Sequence, residues 1–220
     1  MATIVGILTI VSAVGGCSMA SAQGLYVEVL IRADIEAVWQ ATQDTEQHPR
    51  WDARFSRITR IADLVGGGYR FRYERRLPGH VIVGTGISLG EKLRADGTRT
   101  SALRFDTDDR LSPLRSGRGY WRYVSTPEGV RFITGYDYTP GFGRGVDVIL
   151  RPIVLWLTAW SFDRLRIWLE EGVPPESWPP VTVIAFWKRG RPKASRCVTR
   201  LPVGGALANA PRTLTDLEAP

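Results

Sequence analysis

Leu25-Tyr26-Val27-Glu28-Val29-Leu30-Ile31-Arg32-Ala33 runs directly into Asp34-Ile35-Glu36-Ala37-Val38-Trp39, then from Asp44 to Pro49 and on to Trp51-Asp52. Tyr26, Val27, Val29 and Ile31 mix with Glu28 and Arg32 at near two-residue spacing, which suits a strand with one buried face. Asp34 is a suitable helix N-cap, because its carboxylate can accept a bond from an unpaired first-turn N–H. Ile35, Val38, Trp39 and Thr42 then share one helical face, so the helix packs against the sheet that its own strand begins. Trp39 and Trp51 read as core filling, the common role of so large a ring.

After this opening the chain reads as successive strands separated by turn chemistry. Strands are expected over 54–62, 69–77, 81–93, 99–106, 115–125 and 130–139. Gly66 to Gly68, Pro78-Gly79, Ala95-Asp96-Gly97 and Thr126-Pro127-Glu128-Gly129 are the breaks between them. Successive hairpins imply an antiparallel meander. The three glycines at 66–68 are followed by neither Lys-Ser/Thr nor a helix, so they form a hairpin loop and not a phosphate loop.

Residues 145–171 read as one long helix ending at Gly172, with Pro152 expected to kink or split it because it lacks an N–H. From Ile153 onward Trp156, Trp160 and Ile167 lie on one stripe, and Leu157, Phe162 and Leu169 widen it. A helix apolar on so much of its circumference should be gripped by a curved sheet. Asp163, Arg164 and Arg166 interrupt the apolar run after about 11 residues, short of a membrane span.

An opening strand, a helix carrying Val38-Trp39, a short second helix ending at Trp51-Asp52, a run of strands and a long closing helix together resemble the SRPBCC superfamily, the START and polyketide cyclase-dehydratase-like helix-grip domains. The resemblance implies an α+β fold: a curved seven-stranded antiparallel sheet wrapped around a long C-terminal helix, with two short helices after the first strand. It also implies one deep apolar pocket.

The sheet face that meets the helix reads from alternation as Tyr69, Phe71 and Tyr73, then Val81, Val83, Thr85 and Ile87, then Ser101, Leu103 and Phe105. Trp121 and Tyr123, with Phe132, Thr134, Tyr136 and Tyr138, continue it. This side is aromatic and dotted with hydroxyls, as an orienting apolar pocket for a ring-containing or lipid-like ligand would be. The ligand-binding candidates are Phe71, Tyr73, Thr85, Phe105, Trp121, Tyr123, Thr134, Tyr136 and Tyr138 on the sheet, with Trp156 and Trp160 on the helix.

Two functions compete on this scaffold. One is a module that encloses a hydrophobic small molecule or lipid without changing its bonds. The other is a polyketide cyclase/aromatase-dehydratase-like lyase, whose chemistry needs confinement and one or two proton-transfer groups. Tyr73, Tyr123, Tyr136 and Tyr138 are candidate donors to an enolate, and Asp163 and Arg164 are candidate charges if they turn inward. The resemblance carries no catalytic motif, so no catalytic residue is assigned. The binding reading leads, since Asp163-Arg164 is expected at a solvated helix end.

Composition narrows the field further. The formal charge is +7, carried by 26 Arg against 3 Lys. Such a bias fits a GC-rich genome better than a nucleic-acid footprint, and Arg70, Arg72 and Arg76 alternate with apolar residues as a solvated outer sheet face. No nucleic-acid partner is expected. Cys17 and Cys197 lie in opposite appendages and frame neither a disulfide scaffold nor a thiolate metal site. With His48 and His80 as the sole histidines, a histidine-rich metal site or a Ser/His/Asp triad is poorly supplied. No metal and no cofactor is therefore expected. His80 reads as a strand start after the Pro78-Gly79 turn, and His48 as a structural or rim residue.

Three segments result: an apolar leader at 1–24, a helix-grip domain at 25–172, and a tail at 173–220 that is Pro-rich, then basic, and expected to be poorly ordered. The leader has no charge before Glu28. Residues 1–22 read as a secretory signal or lipid anchor, with Ala20-Ser21-Ala22 or the Cys17 region as the processing site. The competing reading starts translation at Met19 and gives a cytoplasmic protein. In the tail, Trp178 lies between proline pairs, and Val181 to Trp187 precedes six Lys and Arg without an acid. That pattern suits either a solvated tail or membrane-surface contact.

Overall fold

In the computed structural model, which describes residues 24–65, 67–89, 93–184, 187–215 and 217, the Asp34 carboxylate accepts from the Glu36 N–H at 2.7 Å and starts the first helix. The readings placed on the leader, including Cys17 and Met19, lie outside the described residues. The elements run β1 (Leu25–Ile31), α1 (Ile35–Gln43), α2 (His48–Trp51), β2 (Arg57–Asp63), β3 (Tyr69–Leu77), β4 (His80–Leu89), β5 (Arg99–Asp106), β6 (Leu114–Thr126), β7 (Gly129–Pro140) and α3 (Gly143–Glu171). All seven strands join one antiparallel sheet in the order β1-β7-β6-β5-β4-β3-β2. Because β7 pairs with β1 as well as with its hairpin partner β6, the first and last strands are neighbours, and α3 follows directly from β7. This is the helix-grip architecture, with two short helices after β1.

The core lies where α3 crosses the inner face of the sheet. Val27, Val29 and Ile31 of β1, Val38 and Ala41 of α1, and Trp51 of α2 pack there with Tyr123, Phe132, Phe162 and Leu165. Phe162 stacks on Phe132 at 4.5 Å between centroids, and Trp51 meets both edge-on. Trp51 is held in place by its own indole N–H, which donates to the Ala41 carbonyl at 2.7 Å. Two further bonds seat α2 on α3: the Ala53 N–H donates to Ser161 Oγ at 3.0 Å, and Arg164 Nη1 donates to the Trp51 carbonyl at 3.4 Å.

α3 runs unbroken through Pro152 and ends at Gly172 in the left-handed conformation, φ 67°. Its burial is uneven. Residues from Thr158 to Leu165 are buried, whereas Val148, Ile149, Ile153 and Trp156 in the first half are exposed. Trp156 is therefore no part of the stripe that faces the core. With no break at Pro152, the apolar stretch extends in both directions, and α3 is long and apolar enough to cross a membrane by length and composition.

Asp163 and Arg164 are buried, where a solvated helix end was expected. The Asp163 carboxylate accepts from Arg166 Nε at 2.6 Å, the Lys193 N–H at 2.7 Å and Arg196 Nη1 at 2.9 Å. The last two of these bonds draw the segment after Gly172 back over the domain. Val198 exchanges backbone bonds of 2.9 and 2.8 Å with Glu28 on the open edge of β1, covering an edge that would otherwise be a pairing template. Farther on, Ala206 packs with Tyr26, Tyr120 and Ile133, and Leu214 and Leu217 pack with Ile87 and Ala102. At Ala206, Leu214 and Leu217 the segment expected as a poorly ordered tail thus lies along the outer face of the sheet, and these apolar residues find partners there that hydropathy alone does not reveal.

Candidate functional site

Between the inner face of the sheet, α2 and the middle of α3 lies a cavity of about 370 Å³. Its walls are Ile58 of β2, Tyr69, Phe71 and Tyr73 of β3, Ile82 and Ser88 of β4, Ser101, Leu103 and Phe105 of β5, Trp121 of β6, and Thr134 and Tyr136 of β7. Val154 and Leu157 of α3 close one side, Leu111 to Pro113 reach it from the β5–β6 connection, and Leu114 from the start of β6. Leu111 is half exposed, so this connection borders both cavity and solvent. Volume and lining fall in the range of small-molecule sites, roughly 300–1,000 Å³.

Glycines in β4 make the room. A Cβ on Gly84 would lie 2.3 Å from the Tyr73 ring, and one on Gly86 would lie 2.3 Å from the Phe71 ring. Ile82, Gly84, Gly86 and Ser88 therefore form the inner face, and Val81, Val83, Thr85 and Ile87 the outer. This corrects the alternation read from the sequence, which followed the β-branched side chains and passed over the bare positions between them. Thr85 is on the outer face, away from the cavity.

One part of the cavity wall carries charged, hydrogen-bonded groups. His48 lies on its wall, stacked on Trp51 at 5.0 Å and meeting Phe55 and Trp121 edge-on at 5.1 and 4.9 Å. His48 Nε2 is 3.1 Å from Asp52 Oδ2, one helical turn on. Asp52 is fully buried. Arg54, also on the wall, grips the same carboxylate through Nε at 2.9 Å and Nη2 at 2.6 Å, and donates from Nη1 to the Tyr136 hydroxyl at 3.4 Å. Burial alone would raise the Asp52 carboxyl, but Arg54 and His48 outweigh it and hold it far below the usual carboxylate range. Burial pushes the His48 imidazole down from its ordinary value, against the pull of Asp52. A neutral ring beside an ionised carboxylate carries its proton on Nε2, leaving Nδ1 a lone pair.

The tyrosine protons are mostly committed elsewhere. Thr158 donates to the Val154 carbonyl at 2.8 Å, so the Tyr136 hydroxyl, 3.1 Å away, must donate to Thr158. By the same logic Thr42 donates to Val38 and receives the Tyr123 proton at 2.7 Å, while Gln43 donates to Tyr123 at 2.9 Å. Tyr138 donates to Asp147 at 2.6 Å. Tyr73 is the loosest, 3.5 Å from the Asp106 carbonyl. Burial raises the Tyr73, Tyr123 and Tyr138 hydroxyls well above their ordinary range, so none ionises near neutral pH.

Of the residues singled out in the sequence, Phe71, Tyr73, Phe105, Trp121, Thr134 and Tyr136 border the cavity. Tyr123 and Tyr138 are buried on the same sheet face but pack in the core, and Trp160 is buried against Trp156 and the Arg164 guanidinium. Trp156 is exposed. Asp163 is committed to the C-terminal segment and supplies no charge to the cavity. Sequence reasoning missed Asp52 and Arg54, and held His48 as a structural or rim residue. The one available signal was the four-residue spacing of His48 and Asp52 within a short helical turn, which places them on one face.

A family model described as "Polyketide cyclase / dehydrase and lipid transport" matches residues 23–166. An uncharacterized membrane protein of Bacillus subtilis, YndG, is 38% identical over 158 residues, 69% of this chain. The chain spans 59% of the length of that relative. Among solved structures, the di-domain aromatase/cyclase StfQ from the steffimycin biosynthetic pathway superposes with a TM-score of 0.52 at 13% identity, over 68% of this chain and 50% of its own. Human StAR-related lipid transfer protein 5 does so with a TM-score of 0.51 at 15% identity, over 67% and 76%. At such identities the likeness is one of fold.

Proposed function

This chain belongs to the polyketide cyclase/dehydrase and lipid transport family, and from that premise we propose that its cavity binds a hydrophobic small molecule or lipid enclosed between the sheet and α3. The observation that carries this reading is a space of about 370 Å³ walled by Phe71, Tyr73, Phe105, Trp121 and Leu157, with the polar groups of His48 and Arg54 on its wall. Apolar walls supply affinity, and a few placed polar groups supply orientation. Phe71, Tyr73, Phe105, Trp121, Thr134 and Tyr136 are the contacts retained from the sequence reading, joined by His48 and Arg54.

A second reading, a polyketide cyclase/dehydrase-like lyase, is favoured by one feature. His48 offers a basic nitrogen beside the Arg54 guanidinium, a proton acceptor next to a donor array that suits a developing enolate. The chemistry would run without metal or nucleotide.

The name of the Bacillus relative and the exposed apolar side of α3 support work at a membrane surface. The chain 19–220, purified from a bacterial host and extracted with organic solvent, should yield one apolar molecule near equimolar amount by mass spectrometry. A lipid supports the carrier reading and an aromatic polyketide the lyase. Preparations from several hosts that yield no such molecule count against the carrier reading.

A further inference from the structure

The His48–Arg54 part of the cavity wall holds one hydrogen-bonding atom of defined polarity without a partner among the described residues. Asp52 takes the Nε2 side of His48, and Arg54 closes on the same carboxylate from the other side. Asp52 so held is an acceptor, which fixes the imidazole proton on Nε2. Trp51 covers one face of the ring, and Phe55 and Trp121 meet it edge-on. Nδ1 has no hydrogen-bond partner among the described residues, and the ring borders the cavity. As the unprotonated nitrogen it accepts and does not donate.

Resting on the reading that the cavity encloses a hydrophobic molecule, we propose that His48 Nδ1 accepts a hydrogen bond from that molecule, and that the ligand is therefore a ring compound bearing a hydroxyl donor, a phenol or a stable enol. The surroundings exclude the neighbouring classes. A carboxylate would set a second anion near Asp52 and turn lone pairs toward Nδ1. An ammonium would meet the Arg54 guanidinium. A hydrocarbon, ester or ketone has no donor and would leave Nδ1 desolvated and unpaired, which costs more than never burying it. A hydroxyl satisfies both sides, since its proton goes to Nδ1 and its oxygen can accept from Arg54. Phe71, Phe105 and Trp121 give the rest of such a molecule flat apolar contact.

The test is a pair of probes of equal shape, 2-naphthol and 2-methylnaphthalene, titrated against the wild-type chain by quenching of tryptophan fluorescence. The wild type should bind 2-naphthol about tenfold more tightly. In His48→Phe, which keeps a ring against Trp51 and removes the acceptor, the two probes should bind within about twofold of each other. Equal affinities in the wild type, or a preference for 2-naphthol that survives in His48→Phe, would overturn the assignment to His48 while leaving the cavity reading intact. The wild-type comparison stands whether or not the variant folds. Binding of neither probe would overturn the assignment and the cavity reading together.

Discussion

Asp52 and Arg54, two residues apart in sequence, form a buried ion pair beneath the cavity, with Nη2 2.6 Å and Nε 2.9 Å from the carboxylate. The Arg54 N–H donates to the same carboxylate at 3.0 Å, so the turn that leaves α2 closes on itself. Breaking such a pair from one side leaves a buried charge without its partner. Asp52→Asn or Arg54→Met should each cost about 3–5 kcal/mol in urea denaturation. The double variant should cost clearly less than the sum of the two, because it buries no orphaned charge.

The same cluster sets a dependence of stability on pH. Burial lowers His48 below its ordinary 6.5, so below that pH the unfolded chain takes up a proton that the folded chain does not. Asp52 lies far below its ordinary 3.8, so its contribution is full above that value and is lost on further acidification. The urea midpoint should therefore be flat between about pH 7 and 8, decline below about 6.5, and decline more steeply below about 4. His48→Phe should remove the upper decline and keep the lower one.

Gly86 supplies space that the Phe71 ring occupies. The three atoms nearest an added Cβ all belong to the Phe71 ring, which can swing toward the cavity. Gly86→Ala should fold with a loss of about 1–3 kcal/mol and bind cavity ligands several-fold more weakly by fluorescence titration. At Gly84 the Asp106 carbonyl oxygen would also lie within 2.6 Å of the new carbon, so Gly84→Ala should be the more destabilising of the two.

Asp163 ties the C-terminal segment to α3 by accepting from two of its donors, the Lys193 N–H and Arg196 Nη1. Asp163→Asn should cost about 2–3 kcal/mol, the range of a charge-assisted bond. It should also free the segment, so limited trypsin digestion should cut after Lys193 and Arg196 faster than in the wild type.

Much of this architecture was legible because local signals agreed with the fold. The bounds of β5 follow from Asp96-Gly97 on one side and alternation on the other, and Asp34 and Gly172 mark helix ends by side-chain and backbone chemistry. The β4 register was not legible, because its inner face is defined by what Gly84 and Gly86 lack. Pro152 reads as a break, yet in the structure the helix carries it without one. The polar part of the cavity wall depends on contacts across the chain: Arg54 reaches Tyr136, and Tyr136 reaches Thr158, over separations that no periodicity encodes. Asp163 looks solvated in sequence because two of its partners, Lys193 and Arg196, lie about thirty residues away.

The central claim is that the space beside α3 takes up an apolar molecule. Leu157, half-buried on the cavity wall, is the place to fill it with least disturbance to the core. Titration of 1-aminoanthracene, whose fluorescence rises in an apolar site, should show saturable binding to the wild type. Leu157→Trp, with its fold confirmed by urea denaturation, should bind at least tenfold more weakly. Undiminished binding in Leu157→Trp, or none in the wild type, would contradict the account.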